Sequence, residues 1–470
     1  MTAPSADTAF RVADRLRGRA SAPWEVFGER LRRYEVHLNG ASVEMARGPV
    51  ELEGFGLRIF RPSRTGLGVG FVAGTGHAED DVDRAWKSAE EYAPYGHSPA
   101  KGVALPDSSG PTPPSVEALD WDLWERPEET LQRYVDELLA ATGDRKDVVP
   151  SFGSVRITLG ESTLANSAGL ERQRAHTMAD LEIAVKASGG PEGVAPGEYW
   201  VNRRSRRLDP RGLKGEAQEW ARRAQDARRA KAPPTGPQRV LFPTDVMADV
   251  MPSILGFRLS GAAQLRNMTP KPGTKVATDT VTLWDDGRFP FGLGTVPFDD
   301  EGVPSGRLPL IQRGEMGSVL LDLIYASATD HPASTGNGRR DSIDFAPWFH
   351  FSIPPQPVAT TLVLEPGSGG TDEELIEAAG EGIWLAQLGY AFPDNVSAAF
   401  GGEIRIGYRI RHGKLAEPLR GGTIGGVLLG GGQDPSILSS ITNLGSRSLL
   451  AGQLSAPTIQ VDNVAVAGED

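Results

Sequence analysis

The run Lys231-Ala-Pro-Pro-Thr-Gly-Pro237 divides this chain more sharply than any other stretch. Three prolines and a glycine in seven residues cannot continue a helix, because proline lacks an amide hydrogen and restricts the residue before it. Before the run, helical and strand patterns alternate; after it, the patterning is mostly that of strands. A single core stops growing at roughly 250–300 residues, so a chain of 470 is expected to form two domains. We place the junction near residue 235. The reading is an α+β protein: an N-terminal α/β domain over 1–235, an antiparallel sheet with helices, and a β-rich C-terminal domain over 236–470.

In the first half, Phe10, Ala13 and Leu16 begin an amphipathic helix, and Tyr34 to Leu38 alternates at period two like a half-buried strand. Short strands are expected at 43–45, 50–52, 57–60 and 68–72, separated by turns at Gly48-Pro49, Gly54 and Pro62-Ser63. Val82, Ala85, Trp86, Ala89 and Ala93 mark one helical face that stops at Pro94. Residues 94–120, rich in Pro, Gly and Ser, read as a long surface connection. A helix then starts at Pro127 and turns Leu131, Tyr134, Val135, Leu138 and Leu139 to the core. Strands at 155–159 and 181–185 are joined through the turn Asn166-Ser-Ala-Gly169, and Asp209-Pro210 opens a helix through Leu213, Ala217, Trp220 and Ala224. In the second half Ile404, Ile406, Tyr408 and Ile410 alternate up to a turn at Arg411-His412-Gly413. Thr371 and Glu374 form a capping box for a helix burying Leu375, Ile376 and Ala379, and 457–466 reads as a final strand.

Composition excludes several classes of function. A net charge of -12 argues against nucleic acid as the main partner, and the basic clusters at 203–207 and 222–231 have acids nearby, so they read as solvated faces. With no cysteine there is no disulfide, thiol nucleophile or redox switch. The first residues lack a signal-peptide pattern and no apolar run approaches a membrane span, so a cytoplasmic protein is expected, in which the sequons at Asn267 and Asn395 are chance matches. The histidines at 37, 77, 97, 176, 331, 350 and 412 show no pair at i, i+3 or i, i+4; a metal site would have to be assembled in space. The glycines at 421–426 and 430–432 lack the Gly-Lys-Ser/Thr of a phosphate loop, those from 66 to 76 precede no helix directly, and no Gly-x-Ser-x-Gly occurs.

Residues 250–261, Val-Met-Pro-Ser-Ile-Leu-Gly-Phe-Arg-Leu-Ser-Gly, stand in order with Gly54-Phe-Gly-Leu-Arg58, Gly68-Val-Gly-Phe71, Asn166–Gly169, Phe298-Asp-Asp-Glu-Gly-Val-Pro304, Thr335-Gly-Asn-Gly-Arg339, Glu365-Pro-Gly367, Ser455-Ala-Pro457 and Val466-Ala-Gly468. This series resembles the TldD/PmbA family, a two-component peptidase system, over most of the chain. In the catalytic subunit of that family the segment at 250–261 reads Leu-Leu-His-Glu-x-x-Gly-His. Registered on Gly256, Pro252 replaces the first histidine, Ser253 the glutamate and Phe257 the second histidine. Two histidines on one helical face can hold zinc while a carboxylate takes a proton from bound water; proline, serine and phenylalanine supply neither ligand nor base.

The likeness is therefore to the PmbA (TldE) type of subunit. It implies no catalytic residue and no cofactor in this chain, zinc in a TldD-like catalytic subunit with which it forms a heterodimer, and unfolded peptide as substrate, with no nucleic-acid or membrane partner. Two alternatives stand beside it: a homodimer that binds peptides or peptide-derived ligands without hydrolysis, and an accessory protein in peptide natural product maturation. Asp299, Asp300, Glu301, Gly302 and Arg339 are the candidates for contact with a partner or peptide. A β-turn accounts equally for the acids and the glycine. Arg339 and Arg340 are candidates to pair with these carboxylates or with a peptide C-terminus, and the expectation is an ordinary surface salt bridge.

Overall fold

The computed structural model describes residues 7–18, 21–64, 66–75, 78–143, 147–188, 196–207, 212–341, 349–431 and 435–468. Six strands form the N-terminal sheet: β1 (Trp24–Asn39), β2 (Ser42–Ser63), β3 (Gly66–Gly74), β4 (Val148–Asn166), β5 (Glu171–Ala187) and β6 (Gly197–Ser205). They pair antiparallel in the order β3-β2-β1-β4-β5-β6, a half-barrel.

Helices cover one face of this sheet. At one end lie α1 (Thr8–Leu16) and α2 (Glu79–Tyr92), which bury Ala9, Val12, Ala13, Val82 and Ala89 against Val26, Leu57 and Ile59. At the other end α3 (Trp121–Glu125), α4 (Pro127–Gly143) and α5 (Lys214–Ala227) bury Leu123, Leu131, Leu138, Trp220 and Ala224 against Val155, Ile157, Leu159, Leu181 and Ile183. The helix expected from Asp209-Pro210 is α5; that opening dipeptide, like His77, Gly76 and Gly432, lies outside the described residues.

The turns expected at Gly48-Pro49 and Gly54 are absent, because β2 runs through both. Glycine there answers to packing. A Cβ on Gly54 would stand 2.3 Å from the Phe351 ring, and one on Gly48 would stand 2.7 Å from the Tyr34 ring. The glycines of β3 serve a similar end, since a Cβ on Gly70 would lie 1.8 Å from the Ala89 carbonyl of α2.

The second half holds a closed barrel of five strands. Gly236–Phe242 pairs antiparallel with Ile459–Ala467, which pairs with Thr423–Val427, then Ala399–Arg411, then Gly382–Asp394. The last closes the ring by a parallel pairing of Ile383 with Val240. Beside it a six-stranded sheet runs Glu315–Met316, Arg307–Gln312, Leu283–Asp286, Leu362–Leu364, Leu454–Ala456, Leu449–Ala451. The two helices after the first barrel strand, α6 (Thr244–Ala248) and α7 (Met251–Arg258), drive Val246, Met247, Ile254 and Leu255 into the common core. Among the described residues no helix is long and apolar enough to cross a membrane.

A fully buried ion network joins the two halves. Glu25 of β1 accepts from Arg58 Nη2 at 2.8 Å and Arg340 Nη2 at 3.0 Å, and Arg58 also donates to Glu301 at 2.7 Å. The four side chains are at most 2% exposed. Burial works against the charge of Arg58 but is outweighed by Glu25 and Glu301, so its pKa rises. Such a network gains little over a well-packed apolar replacement, yet removing one member strands the others without water.

Two stability predictions follow from this packing. Gly70→Ala must push α2 off β3 and is expected to cost about 2 kcal/mol or more. Glu25→Ala strands two buried guanidinium groups and is expected to cost roughly 3–5 kcal/mol. Urea unfolding followed by tryptophan fluorescence checks both.

Candidate functional site

Proline 252 falls in the first turn of α7, where a missing amide hydrogen breaks no helical bond. Ile254, Leu255 and Leu259 face the core, whereas Pro252, Ser253 and Phe257 are only partly buried. Ser253 Oγ is engaged with Asn395 Oδ1 at 2.9 Å, and Arg258 Nη1 donates to the Val396 carbonyl at 2.7 Å, so the turn between two barrel strands is fastened to this helix. The guanidinium of Arg266 sits 5.8 Å from the centre of the Phe257 ring. None of these positions offers a metal donor set. Among the described residues no group of three or more histidines and carboxylates is placed to hold a metal ion.

The acidic turn is interior. Asp299 accepts at Oδ1 from the amides of Glu301 (3.0 Å) and Val303 (2.8 Å), and at Oδ2 from Gly338 (2.9 Å). Burial and the charge of Glu301 push its carboxyl well up. Gly302 has φ +90°, and a Cβ there would stand 2.4 Å from Leu170 of the N-terminal sheet's β4–β5 turn. Asp300 accepts from Arg174 and from the Arg340 amide. Burial would raise Asp300, but Arg174 and Arg339 outweigh it and hold the carboxyl far below its usual range. Glu301 reaches Arg58 and accepts from the Leu323 amide at 2.7 Å, at the start of the helix Leu323–Ala328. Asp322, which caps that helix, is pushed up to about 8 by burial and by Glu301. The surface salt bridge expected for Arg339 and Arg340 is corrected for Arg340: it is fully buried, paired with Glu25 across the junction, and lies over the Phe27 ring at 5.0 Å.

Asp300 and Arg339 also line a cavity of about 200 Å³ between the uncovered face of the N-terminal sheet and the C-terminal half. Strand alternation builds its floor. Phe27, Glu29 and Arg33 of β1, Arg156 and Ser162 of β4, and Arg174, His176, Met178 and Asp180 of β5 project from the face opposite the helices. Arg204 and Arg206 continue the row at the end of β6, and Leu293, Val296, Val358 and Ala359 supply an apolar wall. A Cβ on Gly160 would stand 2.3 Å from the His176 ring, so glycine makes that seat. Burial and the neighbouring charge of Arg206 hold His176 neutral, with its pKa well below the usual value. Burial would do the same to His350, but Glu29, 2.6 Å from its Nδ1, outweighs that and raises it.

The expectation of a solvated face at 203–207 is thus corrected at Arg206, which is 4% exposed. The signal for this wall was present as the alternation Arg172, Arg174, His176, Met178, Asp180, which reads as a strand presenting polar groups to an interior.

Comparison with known proteins fits this architecture. Residues 235–468 match the PmbA/TldA metallopeptidase C-terminal domain. The chain is similar to a metalloprotease TldD homolog of Buchnera aphidicola subsp. Schizaphis graminum, 27% identical over 220 residues, 45% of this chain and 43% of that protein. A TldD homolog of Haemophilus influenzae is 28% identical over 214 residues, 43% of this chain and 41% of that one. The match thus spans less than half the length of these relatives. Solved structures share the whole fold. One is described as a modulator of a DNA gyrase from Thermotoga maritima, with TM-score 0.81 and 16% identity, covering 98% of this chain and 99% of that one. Another is TldE from Thermococcus kodakarensis, with TM-score 0.77 and 20% identity over the same shares. The chain belongs to the TldD/PmbA family of metallopeptidases.

Proposed function

We propose that this chain is the non-catalytic subunit of a TldD/TldE-type metallopeptidase, working as a heterodimer with a TldD-like chain that carries the metal and the reaction. One observation carries the reading. Helix α7 keeps its fold and its glycine, while Pro252, Ser253 and Phe257 offer no ligand or base, and Ser253 is already bonded to Asn395. Zinc does not fit this set of residues. The chain's share of the work would then be to hold the partner's site in shape, to keep folded proteins out, and to present extended peptide, in a cytoplasmic setting.

Sequence likeness to TldD homologs supports the peptidase setting, and likeness in fold to TldE supports the subunit role. For the acidic turn at 299–302, a candidate for partner contact, the buried hydrogen bonds support a role as a strut between two domains that we divide near residue 235. Arg339 remains a candidate for ligand contact through the cavity it lines.

The test is reconstitution. Alone and with added zinc, the chain is expected to leave an unfolded casein-derived peptide intact; co-expressed with a TldD-like chain carrying His-Glu-x-x-x-His, it should co-purify in equal amount and support chelator-sensitive hydrolysis. Robust zinc-dependent hydrolysis by the chain alone would overturn the proposal, and a stable homodimer that ignores the TldD-like chain would favour the stand-alone peptide-binding reading. Ser253→Ala in the reconstituted pair should cost at most about 1 kcal/mol of stability and leave the hydrolysis rate unchanged, as expected for a structural hydroxyl rather than a base.

A further inference from the structure

The cavity between the halves carries more guanidinium than carboxylate charge. Six arginines line it against four carboxylates. Most of these arginines have carboxylate partners: Arg174 donates to Asp300, Arg204 Nε meets Asp180 at 2.7 Å, Arg156 lies 3.5 Å from Glu35, and Arg339 approaches Asp300 at 4.0 Å. Arg206 differs. It is 4% exposed, its side chain reaches only the Thr177 carbonyl at 3.5 Å, and its Nε has no partner among the described residues. The Arg174 Nε, on the same wall, is likewise buried without a partner.

A guanidinium removed from water without a carboxylate is costly, and the cost grows when like charges stand nearby. Burial first, then the charges of Arg339 and Arg174, push the Arg206 pKa down to about 9, against the weaker opposing pull of Asp341 and Asp300. Its backbone is fixed all the same, because Thr177 Oγ1 donates to the Arg206 carbonyl at 2.7 Å. The two halves therefore hold an arginine in place at an energetic cost that an incoming oxyanion would remove by a charge-assisted pair.

We propose that this cavity is a binding site for a small apolar carboxylate, with Arg206 as its anchor and Arg339 as a second contact. The apolar wall of Leu293, Val296, Val358 and Ala359, with Phe27 on the floor, selects a carboxylate that carries a hydrocarbon group over a bare inorganic anion. At about 200 Å³ the space is smaller than the ~300–1,000 Å³ of sites that enclose drug-sized ligands, so it takes a head group or a terminal residue. A peptide's C-terminal residue has this chemistry, and so has a free acyl amino acid. The site rests on this chain's own arginines and is independent of the subunit role proposed above.

Titration calorimetry on the full chain tests the assignment with N-acetyl-leucyl-alanine, the same dipeptide amidated, N-acetyl-leucine and inorganic phosphate. The free dipeptide should bind and the amide should bind at least about tenfold more weakly, a difference of ~1.4 kcal/mol. Comparable binding of N-acetyl-leucine assigns the site to free acyl amino acids, and its failure assigns it to peptide termini. Arg206→Gln should abolish carboxylate binding while leaving the unfolding midpoint unchanged or higher, since it removes a buried charge that no carboxylate pairs directly among the described residues. If that variant does not fold, Arg206→Lys and Arg339→Gln serve, each with weaker carboxylate binding expected. Equal binding of acid and amide, undiminished binding in the variants, or phosphate binding as tight as the dipeptide would overturn the proposal.

Discussion

Glu25 accepts hydrogen bonds from two arginines that come from opposite halves of the molecule, and the arrangement of everything around it follows. Arg58 stands directly opposite Glu25 on the neighbouring strand β2 and Arg340 belongs to a loop of the C-terminal half, so one carboxylate fixes the distance between the halves. Glu301 extends the network to the helix Leu323–Ala328. Ion networks of this kind are weak sources of stability but strong sources of geometry, because any slip between the halves would leave a buried charge without its counter-charge. The glycine at 302 and the Asp299 turn fit the acidic corner into the sheet's end, against Leu164 and Leu170.

That fixed distance is what leaves a cavity at all. Two rigid surfaces are held apart where arginines project from the sheet and held together where the carboxylates meet them. Covered by helices on its other face, the sheet behaves as one plate, and its period-two alternation sorts apolar residues to the helices and charged residues to the interior cleft. Helix α7, by contrast, lines no part of that cleft; its partly exposed side is held by the turn at Asn395 and Val396.

Much of the fold is legible in the sequence because single-element periodicity is local. The helices at Val82–Ala89 and Leu131–Leu138, the capping box at Thr371 and the alternation at Ile404–Ile410 all appear as read. The glycines of β2 were not legible as packing residues, since Gly48 and Gly54 answer to Tyr34 and Phe351, the latter nearly three hundred positions away. The acidic turn was legible as a turn but not as an interior one, because the arginines that neutralise it are Arg58, Arg174 and Arg339, two of them far away on the N-terminal sheet. Arg206 was hidden in a basic cluster whose neighbours Arg203 and Arg204 do find carboxylates near the surface. Only the register of six strands reveals that Arg204 and Arg206 of that cluster face the cleft, and that Arg206 is the buried one.

The barrel's connectivity has a temporal meaning as well. Its first strand, Gly236–Phe242, is flanked on one side by Gly382–Asp394 and on the other by Ile459–Ala467, so neither neighbour exists until long after it has been synthesised. Strand Thr423–Val427 also waits for Ile459–Ala467 before its own edge is covered. During translation the growing C-terminal half must therefore carry open strand edges, including the apolar Val240 and Phe242, for more than two hundred residues of synthesis. Such edges invite pairing with other nascent chains. A cell making this protein has reason to shield it until residue 467 has emerged, and the parallel pairing of Ile383 with Val240 is then a provisional closure that the late strand completes.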